Sequence, residues 1–158
     1  MTTGATGDAV FEYDESVIGV ELDVGTAEIT PARIAAYCTA VGETNPLYTD
    51  AAAAQAGPYG GLVAPPAILQ TLGVGGGPDP KVKFGNTAFH SGTRFEVYAP
   101  IRPGDTITVK AGVKEVYAKT GRTGTMVFAV RTQRFVNQDG ATVALTEQSM
   151  VHRETGNA

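Results

Sequence analysis

The spacing of apolar residues changes twice along this chain. From Ser16 to Val24, Ile18, Val20, Leu22 and Val24 alternate with Gly19, Glu21 and Asp23, the period-two pattern of a half-buried strand or extended lead-in. At Thr30 the spacing becomes helical. Thr30 can cap free amides, Pro31 takes the first helical position, where its missing N–H costs nothing, and Ile34, Tyr37, Cys38 and Val41 form one stripe ending at Gly42. Asp50 can cap a short run from Ala51 to Ala56, which Gly57, Pro58, Gly60 and Gly61 stop. Ala64, Pro65 and Pro66 then lead into Ala67, Ile68, Leu69, Leu72 and Val74, apolar nearly all round, which predicts a core helix wrapped by other elements. Gly73, Gly75, Gly76 and Gly77, with Pro78 and Pro80, begin a loop expected to be flexible.

After Gly92 strict alternation returns. Phe95 and Val97 begin a strand, and Pro100, Pro103, Gly104 and Asp105 turn the chain. Ile107, Val109, Ala111 and Val113 line one face of the next strand. Met126, Phe128 and Val130 carry another after a turn at Lys119 to Gly124, and the last runs from Val143 to Val151 after a turn at Asn137 to Gly140. Connections this short favour antiparallel neighbours, because a parallel partner needs a long crossover. The expected architecture is α+β: one curved antiparallel sheet around a central apolar helix at Pro66 to Val74.

The 158 residues suit a single domain, expected over residues 10–153, with flexible tails at 1–9 and 154–158. Twelve Lys and Arg against sixteen Asp and Glu give a net charge of −4, which offers no general attraction to nucleic acid. Cys38 is the single cysteine, so a disulfide framework and a thiolate metal cluster are excluded, and it is expected to be a small buried hydrophobe. His90 and His152 are far apart in sequence and form no metal-binding pattern, so no metal site is expected. No run approaches the 18 to 20 apolar residues of a membrane helix, and the first residues lack a basic and apolar leader pattern. The expected location is the cytoplasm.

The glycine run is no phosphate cradle, because Pro78 interrupts its spacing and a helical segment precedes it. His90 stands beside Ser91, but adjacent residues seldom turn their side chains toward each other, so a nucleophile–base pair is not expected there. The most informative stretch is Glu43-Thr44-Asn45-Pro46-Leu47-Tyr48-Thr49-Asp50, followed by Gly60-Gly61-Leu62-Val63-Ala64-Pro65-Pro66 and, later, Ile101-Arg102-Pro103-Gly104-Asp105.

These segments resemble the MaoC-like hydratase and dehydratase family, in particular the branch like the dehydratase region of type I fatty acid synthase. The resemblance runs from about Ser16 to Arg153. It implies a hotdog fold, pairing of two such units, and addition or removal of water at acyl thioesters of coenzyme A or acyl carrier protein, which are substrates and not cofactors. It implies no cofactor. In active members the pattern is D-x-N-P-x-H, whose aspartate and histidine hold or activate water. Here Asn45 and Pro46 match, Glu43 stands at the aspartate position, and Tyr48 stands at the histidine position. The later stretch often ends in histidine–glycine, but reads Ala64-Pro65-Pro66 here.

A free phenol has a pKa of about 10, so forming its anion at pH 7 costs on the order of 4 kcal/mol. Tyr48 is therefore a poor base. Two routes around this follow. Glu43 forms a substitute dyad with Tyr48 or with His90, or, as the resemblance implies, the chain joins a second MaoC-like hotdog chain that carries the Asp/His dyad, in a heterodimer or heterotetramer. A homodimer, active or only binding acyl thioesters, is the alternative. Candidate substrate contacts are Asn45, Gly60, Gly61, Ala64, Pro65, His90 and Arg102. Gly60 and Gly61 are read either as turn formers or as amide donors to a thioester oxyanion. Arg102, with Lys81, Lys83 or Arg94, is a candidate for coenzyme A phosphates.

Overall fold

Local capping signals and alternating β-branched residues produce the elements of the computed structural model, which describes residues 1–6, 9–73 and 75–156. Its strands are β1 (Thr2–Thr6), β2 (Ala9–Tyr13), β3 (Glu21–Glu28), β4 (Thr87–Val97), β5 (Thr106–Gly121), β6 (Gly124–Val136) and β7 (Thr142–Arg153), and its α-helices are α1 (Pro31–Val41), α2 (Pro46–Thr49) and α3 (Ala51–Gln55). Glu15–Val17 and Pro66–Thr71 form 3-10 helices.

Helix α1 starts and stops where its residues dictate. The Thr30 hydroxyl accepts the Arg33 N–H, Pro31 opens the first turn, and Gly42 closes the helix in the left-handed region with φ 70°. Ile34 and Cys38 are buried from this helix as expected, and Asp50 caps α3 by accepting the amides of Ala52 and Ala53.

Five strands form one antiparallel sheet in the order β3-β5-β6-β7-β4, and β1 pairs with β2 as a separate hairpin. One cross-strand row joins Val109, Phe135, Ala144 and Val97 across β5, β6, β7 and β4. Val109, Phe135 and Ala144 are buried, whereas Val97, on the edge strand, is 43% exposed. The inner face packs on α1 and on the Pro66–Thr71 helix through Ile34, Cys38, Ile68 and Leu69. The expected α+β hotdog architecture, a curved antiparallel sheet over central helical elements, is the one observed.

Several local expectations are corrected. The central segment keeps its burial, with Ile68 and Leu69 fully inside, but it is a 3-10 helix of six residues ending at Thr71. Pro65 and Pro66 deprive its first turn of amides, and beyond it Leu72 is extended and Gly73 is left-handed. Gly73 also lies so close to Val109 that a Cβ there would stand 2.9 Å from that side chain. Val74, assigned to the same helix, lies outside the described residues, as do Gly7, Asp8, Asn157 and Ala158 of the expected tails.

The first strand is displaced. Residues 15–17 form a 3-10 turn capped by the Asp14 carboxylate, and β3 begins at Glu21. Its register with β5 shifts between Asp23 and Gly25, so alternation does not continue through Val24, and Leu22 remains 49% exposed on this edge strand. The chain start, read from its small polar residues as a tail, supplies β1. The glycine-rich loop is tied beyond its glycines. Asp14 donates its N–H to the Pro80 carbonyl at 2.7 Å, Lys83 and Glu12 exchange backbone hydrogen bonds, and Arg131 meets Asp79 at 2.7 Å.

Candidate active site

The loop leaving α1 is organised by its own side chains. Glu43 Oε1 accepts the amides of Thr44 at 2.9 Å and Asn45 at 2.8 Å. Asn45 Oδ1 then caps α2 by accepting the Leu47 N–H at 3.0 Å, and the Thr49 hydroxyl donates to the Asn45 carbonyl at 3.0 Å. This short helix sets Tyr48 against the core, where Phe95 and Ala99 also pack. Glu43 and Asn45 thus hold the loop that aims Tyr48.

Tyr48 borders two cavities. The first, about 240 Å³, is also lined by Tyr59, Val63, Ala64, Pro66, Tyr98 and Ile101. The second, about 310 Å³, is lined by Ile34, Ala35, Cys38, Glu43 and Leu62, among others. Between them the chain is pinned by the Val63 amide on the Leu47 carbonyl at 3.2 Å and the Ala64 amide on the Ile101 carbonyl at 2.8 Å.

Burial pushes the Tyr48 phenol above its ordinary value, and the nearby Glu43 carboxylate and Tyr59 add to the rise. Burial likewise raises the Cys38 thiol, again with help from Glu43. Tyr48 is therefore a protonated donor at neutral pH. A spectrophotometric titration at the phenolate band, comparing the wild type with Tyr48→Phe, is expected to lose a transition that lies above pH 10. A Tyr48-dependent transition below pH 9 would contradict this assignment.

The remaining candidates fall into two groups. Gly60 sits in the left-handed region with φ 62°, and its amide donates to the Gly57 carbonyl at 3.2 Å, so that N–H is engaged in a turn. Ala64 faces the first cavity with its amide already bonded, and Pro65 and Pro66 have no N–H to offer. Gly61 follows in the same loop and is half-buried. Arg102 reaches this loop from the other side, donating from Nη2 to the Tyr59 carbonyl at 3.0 Å, while its own amide is held by Asp105 Oδ2 at 2.7 Å.

His90 stands apart. It lies within β4 and not in a loop before the sheet, because a register shift between His90 and Gly92 breaks the alternation that marked the strand only from Phe95. Its Nε2 lies 2.9 Å from the Thr93 hydroxyl. Val97, which lines the first cavity, is seven residues further along the strand, about 23 Å at the usual strand rise. His90 lines neither of the two cavities that Tyr48 borders. Lys83 pairs with Glu12 and Arg94 with Glu96, and Lys81 is exposed.

Sequence reasoning missed Tyr59 and Tyr98, two aromatic walls of the first cavity. Their only signal is position: each is a bulky ring beside turn-forming residues, Gly57-Pro58-Tyr59-Gly60 and Tyr98-Ala99-Pro100. The Tyr98 hydroxyl donates to Glu96 Oε2 at 2.7 Å, which raises its pKa.

An antiparallel sheet wrapped over central helical elements, with cavities beside the Asn45–Pro46 loop, defines a chain of hotdog fold. The chain belongs to the family described as the FAS1-like dehydratase domain region, whose model matches residues 16–146. It is 32% identical to a UPF0336 protein of Parafrankia sp. over 128 residues, covering 78% of this chain and 82% of the relative. Across its curated relatives the matched stretch spans between 65% and 82% of their length.

Solved structures share the fold. The MaoC-like dehydratase from Rhodospirillum rubrum superposes with a TM-score of 0.66 at 22% identity, over 89% of this chain and 94% of that one. A chain of the ChsH1–ChsH2 complex from Mycobacterium tuberculosis gives 0.68 at 19% identity over 94% and 85%. The truncated HadBC (3R-hydroxyacyl-ACP dehydratase) complex from the same organism gives 0.65 at 18% identity over 85% and 96%.

Proposed function

We propose that this chain is the subunit without the dyad of an enoyl thioester hydratase or (3R)-hydroxyacyl thioester dehydratase. It supplies acyl-binding space and subunit contacts, while a partner hotdog chain supplies the Asp/His dyad. In the dehydration direction a base takes the proton beside the thioester carbonyl, an acid protonates the departing C3 hydroxyl, and water leaves behind a trans-2-enoyl thioester. The reaction needs a group poised to accept a proton near neutral pH.

The observation that carries the reading is Tyr48. The residue at the histidine position is a phenol whose pKa is raised by burial, so it holds its proton where a base is required. Glu43 has one carboxylate oxygen committed to two loop amides, and Pro66 leaves the first cavity's wall without a backbone donor at its position. The two-protein complexes among the fold relatives supply a precedent for assembly of two chains. The surface supports assembly as well: the chain exposes 8553 Å², whereas a monomer of its mass is expected to expose about 7,500 Å². The excess is on the order of one partner's share of a standard interface, about 800 Å². Arg102, bonded to the carbonyl of the lining residue Tyr59, is assigned to coenzyme A or carrier-protein phosphate in this reading.

No helix among the described residues is long and apolar enough to cross a membrane, and the reading places the complex in the cytoplasm. A second reading has one observation in its favour, since Glu43 and Tyr48 line the same cavity. It makes the homodimer a self-sufficient hydratase. The two readings separate on a short trans-2-enoyl-CoA, followed by loss of enoyl absorbance. The purified chain alone is expected to match the uncatalysed rate. Strong turnover abolished by Glu43→Gln or Tyr48→Phe would establish the second reading instead.

A further inference from the structure

Tyr48 is shared by the linings of both cavities, and the chain on either side of the partition is fixed. Leu62 faces one cavity and Val63 and Ala64 the other, with the amides of Val63 and Ala64 both hydrogen-bonded. Tyr48 is thus the side chain common to both linings, and truncating it leaves those backbone hydrogen bonds in place. The cavity on the Tyr59 and Tyr98 side is lined by Ile101, the neighbour of Arg102, whose guanidinium donates to the carbonyl of the lining residue Tyr59. The cavity on the other side of Tyr48 is lined by apolar Ile34, Ala35, Cys38 and Leu62 together with polar Thr39 and Glu43. At about 240 Å³ the outer space corresponds to roughly eight waters' share of liquid volume. It is also below the roughly 300 Å³ at which ordinary ligand pockets begin, whereas the two spaces joined fall well inside that range.

We infer that Tyr48 is the stop that sets acyl length: a thioester enters past Arg102, its chain fills the outer cavity, and the Tyr48 ring closes off the space over Cys38. This rests on the acyl thioester reading above and adds a specificity-determining residue to it. The ring does this work, so the hydroxyl is dispensable for it. The wild type accepts short acyl groups, and shortening Tyr48 lengthens the pocket toward Cys38.

The experiment uses the purified full chain and saturated acyl-CoA from butanoyl to dodecanoyl, which bind without reacting. Wild-type affinity is expected to rise about fourfold per methylene and then level off within the short members of the series. Tyr48→Ala is expected to carry the rise on by several carbons, and Tyr48→Phe to behave as wild type. In Tyr48→Ala, dodecanoyl-CoA should also slow modification of Cys38 by methyl methanethiosulfonate at least tenfold, with no such protection in the wild type. The same levelling point in Tyr48→Ala and wild type, or protection of wild-type Cys38 by dodecanoyl-CoA, would overturn the inference while leaving acyl binding intact.

A test on the wild type covers the case in which Tyr48→Ala does not fold. Methylthiolation of Cys38 places a methylthio group in the second cavity and is expected to leave butanoyl-CoA affinity unchanged, and a fall would show that this cavity already holds the chain. If neither the chain nor its variants bind acyl-CoA of any length, the acyl thioester reading itself fails and takes the inference with it.

Discussion

Turnover of a short trans-2-enoyl-CoA is expected to rise at least about hundredfold over the chain alone when it is co-expressed with a hotdog chain bearing D-x-N-P-x-H, the lower end of what positioned acid and base groups contribute. The size follows from what Tyr48 cannot do. At pH 7 an ordinary phenol is ionised in about one molecule per thousand, and burial with a neighbouring Glu43 carboxylate lowers that fraction further. A partner's imidazole, titrating near neutrality, removes that barrier. Within the complex, Glu43→Gln and Tyr48→Phe in this chain should leave kcat essentially unchanged, because neither side chain transfers the proton. Replacing the partner's aspartate or histidine should abolish turnover. A complex silenced by Tyr48→Phe would overturn the division of labour, and that variant is diagnostic because it keeps the ring that bounds the cavities.

What could be read from the sequence was what is decided within a few residues. Thr30, Pro31 and Gly42 mark α1 because capping is local, and the turn expected at Lys119 to Gly124 contains the β5–β6 bend, although β5 itself runs on to Gly121. Burial of Ile34, Cys38, Ile68 and Leu69 was legible from apolar patterning. Conformation was less so. The segment after Pro66 satisfies the apolar pattern of an α-helix, yet two prolines and the contact of Gly73 with Val109 limit it to a 3-10 turn. Register shifts in β3 and β4 are set by pairing with distant strands, which is why the first strand and His90 were misplaced. In the site, Glu43, Asn45 and Tyr48 are linked by a loop of local hydrogen bonds, whereas Tyr59, Tyr98 and Arg102 converge only through the packing of residues some forty positions apart in sequence.

The same sheet predicts a steep gradient of stability along one row. Phe135→Ala is expected to destabilise the chain by about 3–5 kcal/mol, because a fully buried ring leaves a cavity that backbone paired on both sides in β6 cannot collapse. Against a typical total of 5–15 kcal/mol this is a large fraction, and it corresponds to a fall in Tm of roughly 10–15 °C for a chain of this length. Val97→Ala, at the exposed end of the same row, is expected to shift the Tm of the isolated chain by only a degree or two, since Val97 has a strand on one side and is already 43% exposed. Thermal and urea denaturation of the two variants check the contrast. Comparable shifts would mean that the Val109–Phe135–Ala144–Val97 row is not packed as described. If the partner covers the β4 edge, Val97→Ala should weaken assembly more than it weakens the fold, because covering that edge would bury Val97 while adding no new contact to Phe135.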